Sequence, residues 1–283
     1  MSVIAVVGAG TLGGSLAHVL ATHERVREIR LIDLADRVAA GKALDIQQAG
    51  AVEPFDTTVV AHRDLQAAVG ADLIVLTGPA NQPETEWGED NGLVMLRQLG
   101  SLNRRAVTVC AGGGHRRLIE RGVAETALSR RRLIGSAPLA LQTALRAIVA
   151  VELQCSACDV SLAVLGAPPD HFVVPWSEAS VRGVAISRLL SSRRLALLQQ
   201  KIVRVWPPGP YTLAAATAKL CESVLRGTGI YGVTCYVVLD GELGVRGRAV
   251  ATAVTLDTSG VTSVAEPALS VRERVELDNA LHA

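Results

Sequence analysis

The sequence of 283 residues predicts an α/β protein: a doubly wound parallel sheet followed by an α+β half. Three observations carry that prediction. Short β-branched runs alternate with amphipathic stretches through the first half, the pattern of βαβ units. Those runs are apolar almost throughout, as strands covered on both faces must be. The second half loses the alternation and gains longer helical patterns and one hairpin.

The elements follow in order. Strands are expected over Val3–Val7, Glu28–Asp33, Thr57–Ala61, Ala71–Thr77, Ala106–Ala111 and Arg132–Gly135. Between them, apolar residues recurring every three or four positions predict helices over Leu12–His23, Val38–Ala49, Asp90–Asn103 and Arg116–Ser129. A helix over Leu139–Val151 and a strand over Val160–Leu165 open the second half, and helices over Ser187–Val205 and Leu213–Arg226 follow. The alternating runs Gly232–Leu239 and Arg248–Leu256 flank D-G-E-L-G and predict an antiparallel hairpin. A helix over Val271–Leu281 closes the chain. The domain boundary is expected near Gly135–Pro138, dividing residues 1–136 from 137–283.

Composition narrows the class. An apolar fraction of 49% with 19% charged residues fills a core and excludes a disordered chain. Lys+Arg of 28 against Asp+Glu of 27 leaves +1, so no net field draws nucleic acid or an anionic membrane. No apolar run approaches the ~18 residues of a membrane span. Five scattered cysteines and no cleavable leader pattern point to a reducing, cytoplasmic setting. The one close pair, Cys155 and Cys158, enters a run read as strand, where residues three apart face opposite sides; both are expected as small buried hydrophobes. No clustered His/Cys spacing suggests a metal.

Chemistry first appears at Gly8-Ala9-Gly10-Thr11-Leu12-Gly13, which leaves the first strand and opens a helix. In that context a G-x-G-x-x-G turn binds a dinucleotide. Gly8 permits the tight turn, Gly10 the approach of a pyrophosphate, and Gly13 the packing of helix on strand. The helix N-terminus supplies free N–H groups to the phosphates. Asp33, twenty residues beyond Gly13, is placed for the adenosine ribose and repels a 2′-phosphate, which favours NAD over NADP.

With these residues in view the chain resembles the malate/lactate dehydrogenase family over nearly its whole length. The resemblance is carried by G-A-G-T-L-G-G-S-L-A, I-R-L-I-D-L with G-K-A-L-D-I, A-D-L-I-V-L-T-G and R-R-L-I-G-S, then by D-V-S-L-A-V-L-G, W-S-E-A-S-V-R-G, V-L-D-G-E-L-G-V and P-A-L-S-V-R-E-R. It implies a Rossmann domain carrying NAD, an α+β substrate domain, and a homodimer or tetramer. It also adds Thr77 and Gly78 to the cofactor-binding set of Gly8, Gly10, Thr11, Leu12, Gly13 and Asp33.

The family's reaction, oxidation of a 2-hydroxy acid, needs a histidine base, an orienting carboxylate and arginines for the substrate. At those positions this chain departs. Pro168 stands in the histidine slot of the G-x-H-G-D turn, here Gly166-Ala167-Pro168-Pro169-Asp170. Leu141 and Ala144 replace the aspartate and arginine of the L-D-x-x-R helix, leaving only its second arginine, Arg146. Asn81 and Trp87 replace the arginines of the mobile loop, and Gly112-Gly113-Gly114-His115 replaces the Asn-Pro pair after the fifth strand. Losing a preorganised donor costs ~10²–10³ in rate and losing a general base ~10²–10⁴.

The expectation is therefore an NAD-binding relative, without the ordinary reaction, whose crevice is neutral and apolar. The alternative is an active oxidoreductase on an uncharged alcohol or ketone, with His171 or His115 carrying the proton. The glycine triplet reads either as a backbone anion nest or, preferably, as a flexible crossover. The acidic residues Glu84, Glu86, Glu89 and Asp90 read as a solvated loop. The apolar helices Leu12–His23 and Leu213–Arg226 are expected to pair across a twofold axis.

Overall fold

A computed structural model describes residues 2–81, 86–202, 205–227 and 229–282. In chain order the first half contains β1 (Val3–Val7), α1 (Thr11–Thr22), β2 (Glu28–Ile32), α2 (Asp36–Ala49), β3 (Thr58–His62), β4 (Leu73–Leu76), α3 (Glu89–Leu102), β5 (Val107–Cys110), α4 (Arg116–Glu125) and β6 (Leu133–Gly135). A helix returns the chain after each strand of this set except β3, whose exit makes one 3₁₀ turn at Leu65–Ala68. The strands therefore lie parallel, in the order β3-β2-β1-β4-β5-β6. The order reverses between β1 and β4, which opens a crevice at the strands' carboxyl ends.

The second half contains α5 (Ala137–Leu153), β7 (Val160–Ser161), β8 (Leu165–Ala167), β9 (His171–Val173), β10 (Ser180–Val181), β11 (Val184–Ala185), α6 (Ile186–Leu189), α7 (Ser192–Ile202), α8 (Pro210–Leu225), β12 (Ile230–Asp240), β13 (Arg246–Asp257), β14 (Gly260–Val264) and α9 (Val271–His282). The long hairpin β12–β13 carries the sheet onward, with Tyr236 of β12 opposite Gly135 of β6. Among the described residues the main sheet has eleven strands, and β11, β10 and β7 form a small separate sheet.

Alternation along the buried strands builds two core layers. Ile4 and Val6 face Leu16 and Leu20 of α1 together with Ala214 and Cys221 of α8. Ala5 and Val7 face Leu93, Leu96 and Leu99 of α3 with Leu118 and Ile119 of α4. A third cluster gathers Leu141, Leu145 and Val149 of α5 under Val160, Ile186 and Leu198.

Four expectations need correction. The strand read over Val160–Leu165 is two strands: Val160 and Ser161 pair with β10 in the small sheet, whereas Gly166 pairs with Ala251 of the main sheet. An apolar run records burial, not which partner each end finds. The helix read over Ser187–Val205 breaks at Leu190, which is extended and buried, and Ser191 then starts α7 by accepting the Leu195 N–H at 3.0 Å; residues 203–204 lie outside the described residues. Cys155 precedes a 3₁₀ turn over Ala157–Asp159 and Cys158 lies within it, not in a strand, with Cys158 exposed and both thiols free. Finally, α1 and α8 pack on one another within a single chain, and His23 Nδ1 lies 2.6 Å from Glu222 Oε1 between them. Packing within the chain therefore accounts for their buried apolar residues.

Candidate cofactor cleft and catalytic crevice

The glycine turn sits at the point where the strand order reverses. Gly8 has φ +112°, a conformation hostile to any β-carbon. A Cβ on Gly8 or Gly10 would meet the Gly78 carbonyl, and one on Gly13 would meet the Gly8 carbonyl. The first two glycines thus admit the β4 exit, and the third lets α1 lie against β1. The Gly10 N–H donates to Gly78 O at 3.0 Å. Buried Thr77 braces the turn from beneath, its hydroxyl donating to the Val7 and Gly8 carbonyls at 3.1 and 2.8 Å. Thr11 and Leu12 occupy the first turn of α1, where N–H groups lack intrahelical acceptors and no side chain caps them.

Asp33 is drawn inward. Only 6% exposed, its carboxylate accepts three backbone N–H bonds: Oδ2 from Ala9 at 2.7 Å and Ala80 at 2.9 Å, Oδ1 from Ala35 at 2.9 Å. A carboxylate has about four lone-pair sites, so one remains on Oδ1 for a ribose hydroxyl. Asp33 is thus a clamp on the glycine turn and on the β4 exit as well as a ribose acceptor.

Lys42 was missed by the sequence reading. From α2 its Nζ donates to the Ala9 and Gly10 carbonyls at 2.7 and 2.8 Å. Burial pushes its ammonium below the usual lysine range, with Asp33 acting the opposite way. Its one signal in the sequence is scarcity: only three of 28 basic residues are lysines.

Beyond Asp33 opens a cavity of ≈ 950 Å³, lined among others by Leu34, Leu65, Trp87, Val94 and Met95. Asp33, Asp64, Glu86 and Arg63 also line it, and apolar walls with Asp33 at the end of β2 match the pattern of a site for an adenosine. Glycine turn, spare lone pair and cavity together fit a dinucleotide.

The crevice beside β5 is organised otherwise than expected. Gly112-Gly113-Gly114 is no slack crossover; it is an anion nest, and Glu86 occupies it. Glu86 Oε1 accepts the Gly113 N–H at 2.5 Å, and Oε2 accepts the Gly114 N–H at 2.8 Å. His115, 2% exposed, receives the Gly112 N–H on Nδ1 at 3.1 Å. Nδ1 is then the lone-pair nitrogen, and Nε2 carries the proton of the neutral ring. That Nε2 has no hydrogen-bond partner and lies 3.9 Å from Glu86 Oε2. Burial holds the His115 pKa below the ordinary histidine value, with Glu86 and the Trp87 backbone opposing. The crevice is thus not neutral and apolar, because a carboxylate is seated in it. Nor is Glu86 a free loop acid, since both its oxygens are bonded to backbone while its side chain stays part-exposed; Glu84 lies outside the described residues.

The other substituted positions scatter. Pro168 has no titratable group, and its carbonyl accepts the hydroxyl of buried Tyr236 at 2.9 Å. Leu141 is sealed in the α5 core, and Ala144 is half-buried. Arg146 turns away, donating to the carbonyls of Ala157 and Cys158. His171 is exposed on β9, the edge strand, five places from β5 in the sheet order. The fold therefore brings His115 to the crevice and leaves His171 outside it.

A parallel sheet with a glycine turn at its switch point, an acidic clamp after β2 and an adenosine-sized cavity define a nicotinamide-dinucleotide-binding protein of the dehydrogenase type. The comparisons agree. Residues 2–90 match the lactate/malate dehydrogenase NAD-binding domain. A malate dehydrogenase from Chlorobium phaeobacteroides is 28% identical over 296 residues, covering 99% of this chain and 94% of that one. One from Parabacteroides distasonis is 27% identical, covering 97% and 93%. The fold superposes on the malate dehydrogenase structure from Aeropyrum pernix with a TM-score of 0.88 at 20% identity, covering 99% and 95%. Residues 2–90 carry a lactate/malate dehydrogenase NAD-binding domain, the chain as a whole is similar to malate dehydrogenases, and its cofactor is NAD.

Proposed function

We propose that this protein binds NAD(H) but has lost the ordinary 2-hydroxy-acid dehydrogenase reaction. Residues 1–136 carry the cofactor and residues 137–283 complete the crevice. The cofactor-binding set is Gly8, Gly10, Thr11, Leu12, Gly13, Asp33 and Gly78, with Thr77 and Lys42 as positioning residues. Bound NAD supplies the hydride acceptor; what is wanting is a group to take the substrate's proton and one to hold its carboxylate.

The observation that carries this reading is the seated Glu86. The arginines that the family resemblance implies for an anionic substrate are replaced at Asn81, Trp87 and Ala144, and this chain seats its own carboxylate on the backbone donors of Gly113 and Gly114. A buried carboxylate without a partner is expensive, so a 2-hydroxy acid finds no cation to meet and reaches a backbone donor only by displacing Glu86. The alternative, a reductase of uncharged ketones using His115 or His171, is weakened by the same geometry. The one lone pair of His115 is already bonded to Gly112, and His171 sits on the far edge strand.

The test is direct. The protein with NAD and L- or D-malate, L- or D-lactate, and a panel of neutral alcohols is followed for nicotinamide absorbance. No reduction with hydroxy acids is expected; oxidation at ordinary enzymatic rates overturns the reading, and turnover of a neutral alcohol selects the alternative. A cytoplasmic homo-oligomer also belongs to the proposal. It is supported by the family and by the exposed apolar Val38 and Leu44 of α2, and among the described residues no helix is long and apolar enough to cross a membrane.

A further inference from the structure

We propose that the Gly112–His115 turn is a binding site for a small monocarboxylate, in which Glu86 is resident until a free carboxylate takes its place. The inference goes beyond the reading above, because it concerns binding and holds whether or not any oxidation survives.

The resident identifies the ligand chemistry. Two successive N–H groups each meet one oxygen of a single planar carboxylate, Gly113 to Oε1 and Gly114 to Oε2. The donors stand at the N-terminus of α4, whose dipole adds to the field. A second, independent feature points to the same place. His115 is all but fully buried, yet its Nε2 is unpartnered and faces the carboxylate at 3.9 Å, beyond hydrogen-bond range. Buried donors are rarely left unmade. Glu86 is tethered through its own backbone and satisfies two donors of the three. A free carboxylate carries no tether and can settle against all three. The resident is therefore not the best occupant.

The surroundings limit the ligand's size and charge. A Cβ built on Gly113 lies 3.2 Å from Pro207 Cβ and 4.0 Å from the Trp206 ring, so an apolar wall stands beside the nest. Neighbouring Arg116 is already paired with Glu120 at 2.9 Å. A second carboxylate on the ligand would have no such nest to enter. The fit is one carboxylate on a short apolar body.

The glycines are required. A Cβ on Gly112 would lie 2.5 Å from the Glu86 carboxyl carbon and 2.7 Å from His115 Cε1, inside the space the carboxylate fills. G112A therefore closes the site, filling the carboxylate's space and crowding the His115 ring while leaving the Gly113 and Gly114 N–H groups in place.

The experiment uses the full chain, free of cofactor, titrated with sodium formate and sodium acetate against sodium chloride at equal ionic strength. The amide signals of Gly113 and Gly114 and the His115 Nε2 proton are followed by NMR. If Glu86 is resident nine-tenths of the time or more, removing it raises apparent affinity at least about tenfold. E86A is thus expected to bind acetate at least about tenfold more tightly than wild type, with the His115 proton moving downfield. The double variant E86A/G112A is expected to show no saturable shift. E86Q preserves volume and serves if E86A does not fold; its neutral amide is displaced more readily than Glu86. Three results overturn the proposal: no saturable acetate shift in a folded E86A or E86Q, equal binding in E86A/G112A, or the same shifts with chloride.

Discussion

Replacing Asp33 separates its role as a clamp from its role as a ribose acceptor. Asp33→Ala removes the acceptor of three backbone N–H groups, those of Ala9, Ala35 and Ala80. A hydrogen bond to a charged group contributes about 1.5–3 kcal/mol. Three lost together set a ceiling of roughly 4–9 kcal/mol, which water admitted from the adjoining cavity offsets in part. The expected destabilisation is about 2–4 kcal/mol. At about 2–4 °C per kcal/mol for a chain near this size, thermal unfolding followed by circular dichroism should fall by roughly 5–15 °C. Asp33→Asn keeps an oxygen for Ala9 and Ala80 but turns an NH₂ toward Ala35, so its loss should be smaller. Calorimetric titration should show NAD bound more tightly than NADP by the wild type, and the preference narrowed in both variants. An Asp33→Ala protein that melts within 1–2 °C of wild type while NAD affinity alone weakens would refute the clamp. The carboxylate would then face the ribose site only.

Other expectations follow from single contacts. Lys42→Met frees the Ala9 and Gly10 carbonyls, and titration should find NAD affinity lowered roughly tenfold, the worth of one modest hydrogen bond; unchanged affinity would remove Lys42 from the cofactor cleft. Gly13→Ala drives a Cβ into the Gly8 carbonyl, a backbone atom that cannot swing aside, and expression should yield protein that is unfolded or binds no NAD. Glu273 accepts hydrogen bonds from Ser177 and Ser270. These overcome desolvation and hold its carboxyl at about 2, below its ordinary 4.5. A folded value below the unfolded one stabilises the protein above pH ~4.5 and is lost as pH falls toward 2. Denaturant unfolding between pH 5 and 2.5 should lose about 2 kcal/mol more in wild type than in Glu273→Gln; parallel curves would contradict it.

The sequence by itself determined the elements whose signals are local. Three glycines and an aspartate at set spacings, with period-two and period-3.6 apolar patterns around them, suffice for β1, α1, β2 and the cofactor turn. The conformations involved are enforced by the residues themselves: Gly8 at positive φ and Gly13 beneath a backbone carbonyl tolerate no alternative. The substitutions at Pro168, Leu141, Ala144, Asn81 and Trp87 were legible for the same reason, since an absent side chain is absent in any fold. What only the tertiary structure decided concerns partners distant in sequence. Glu86 and Gly113 are 27 residues apart, and nothing local tells a solvated acid from one seated in a nest. Asp33 meets Ala80 across 47 residues, and α1 meets α8 across nearly 200. Backbone N–H groups leave no mark in the sequence because every residue but proline carries one. A site built from them becomes visible only where folding sets two in line and brings a carboxylate to meet them.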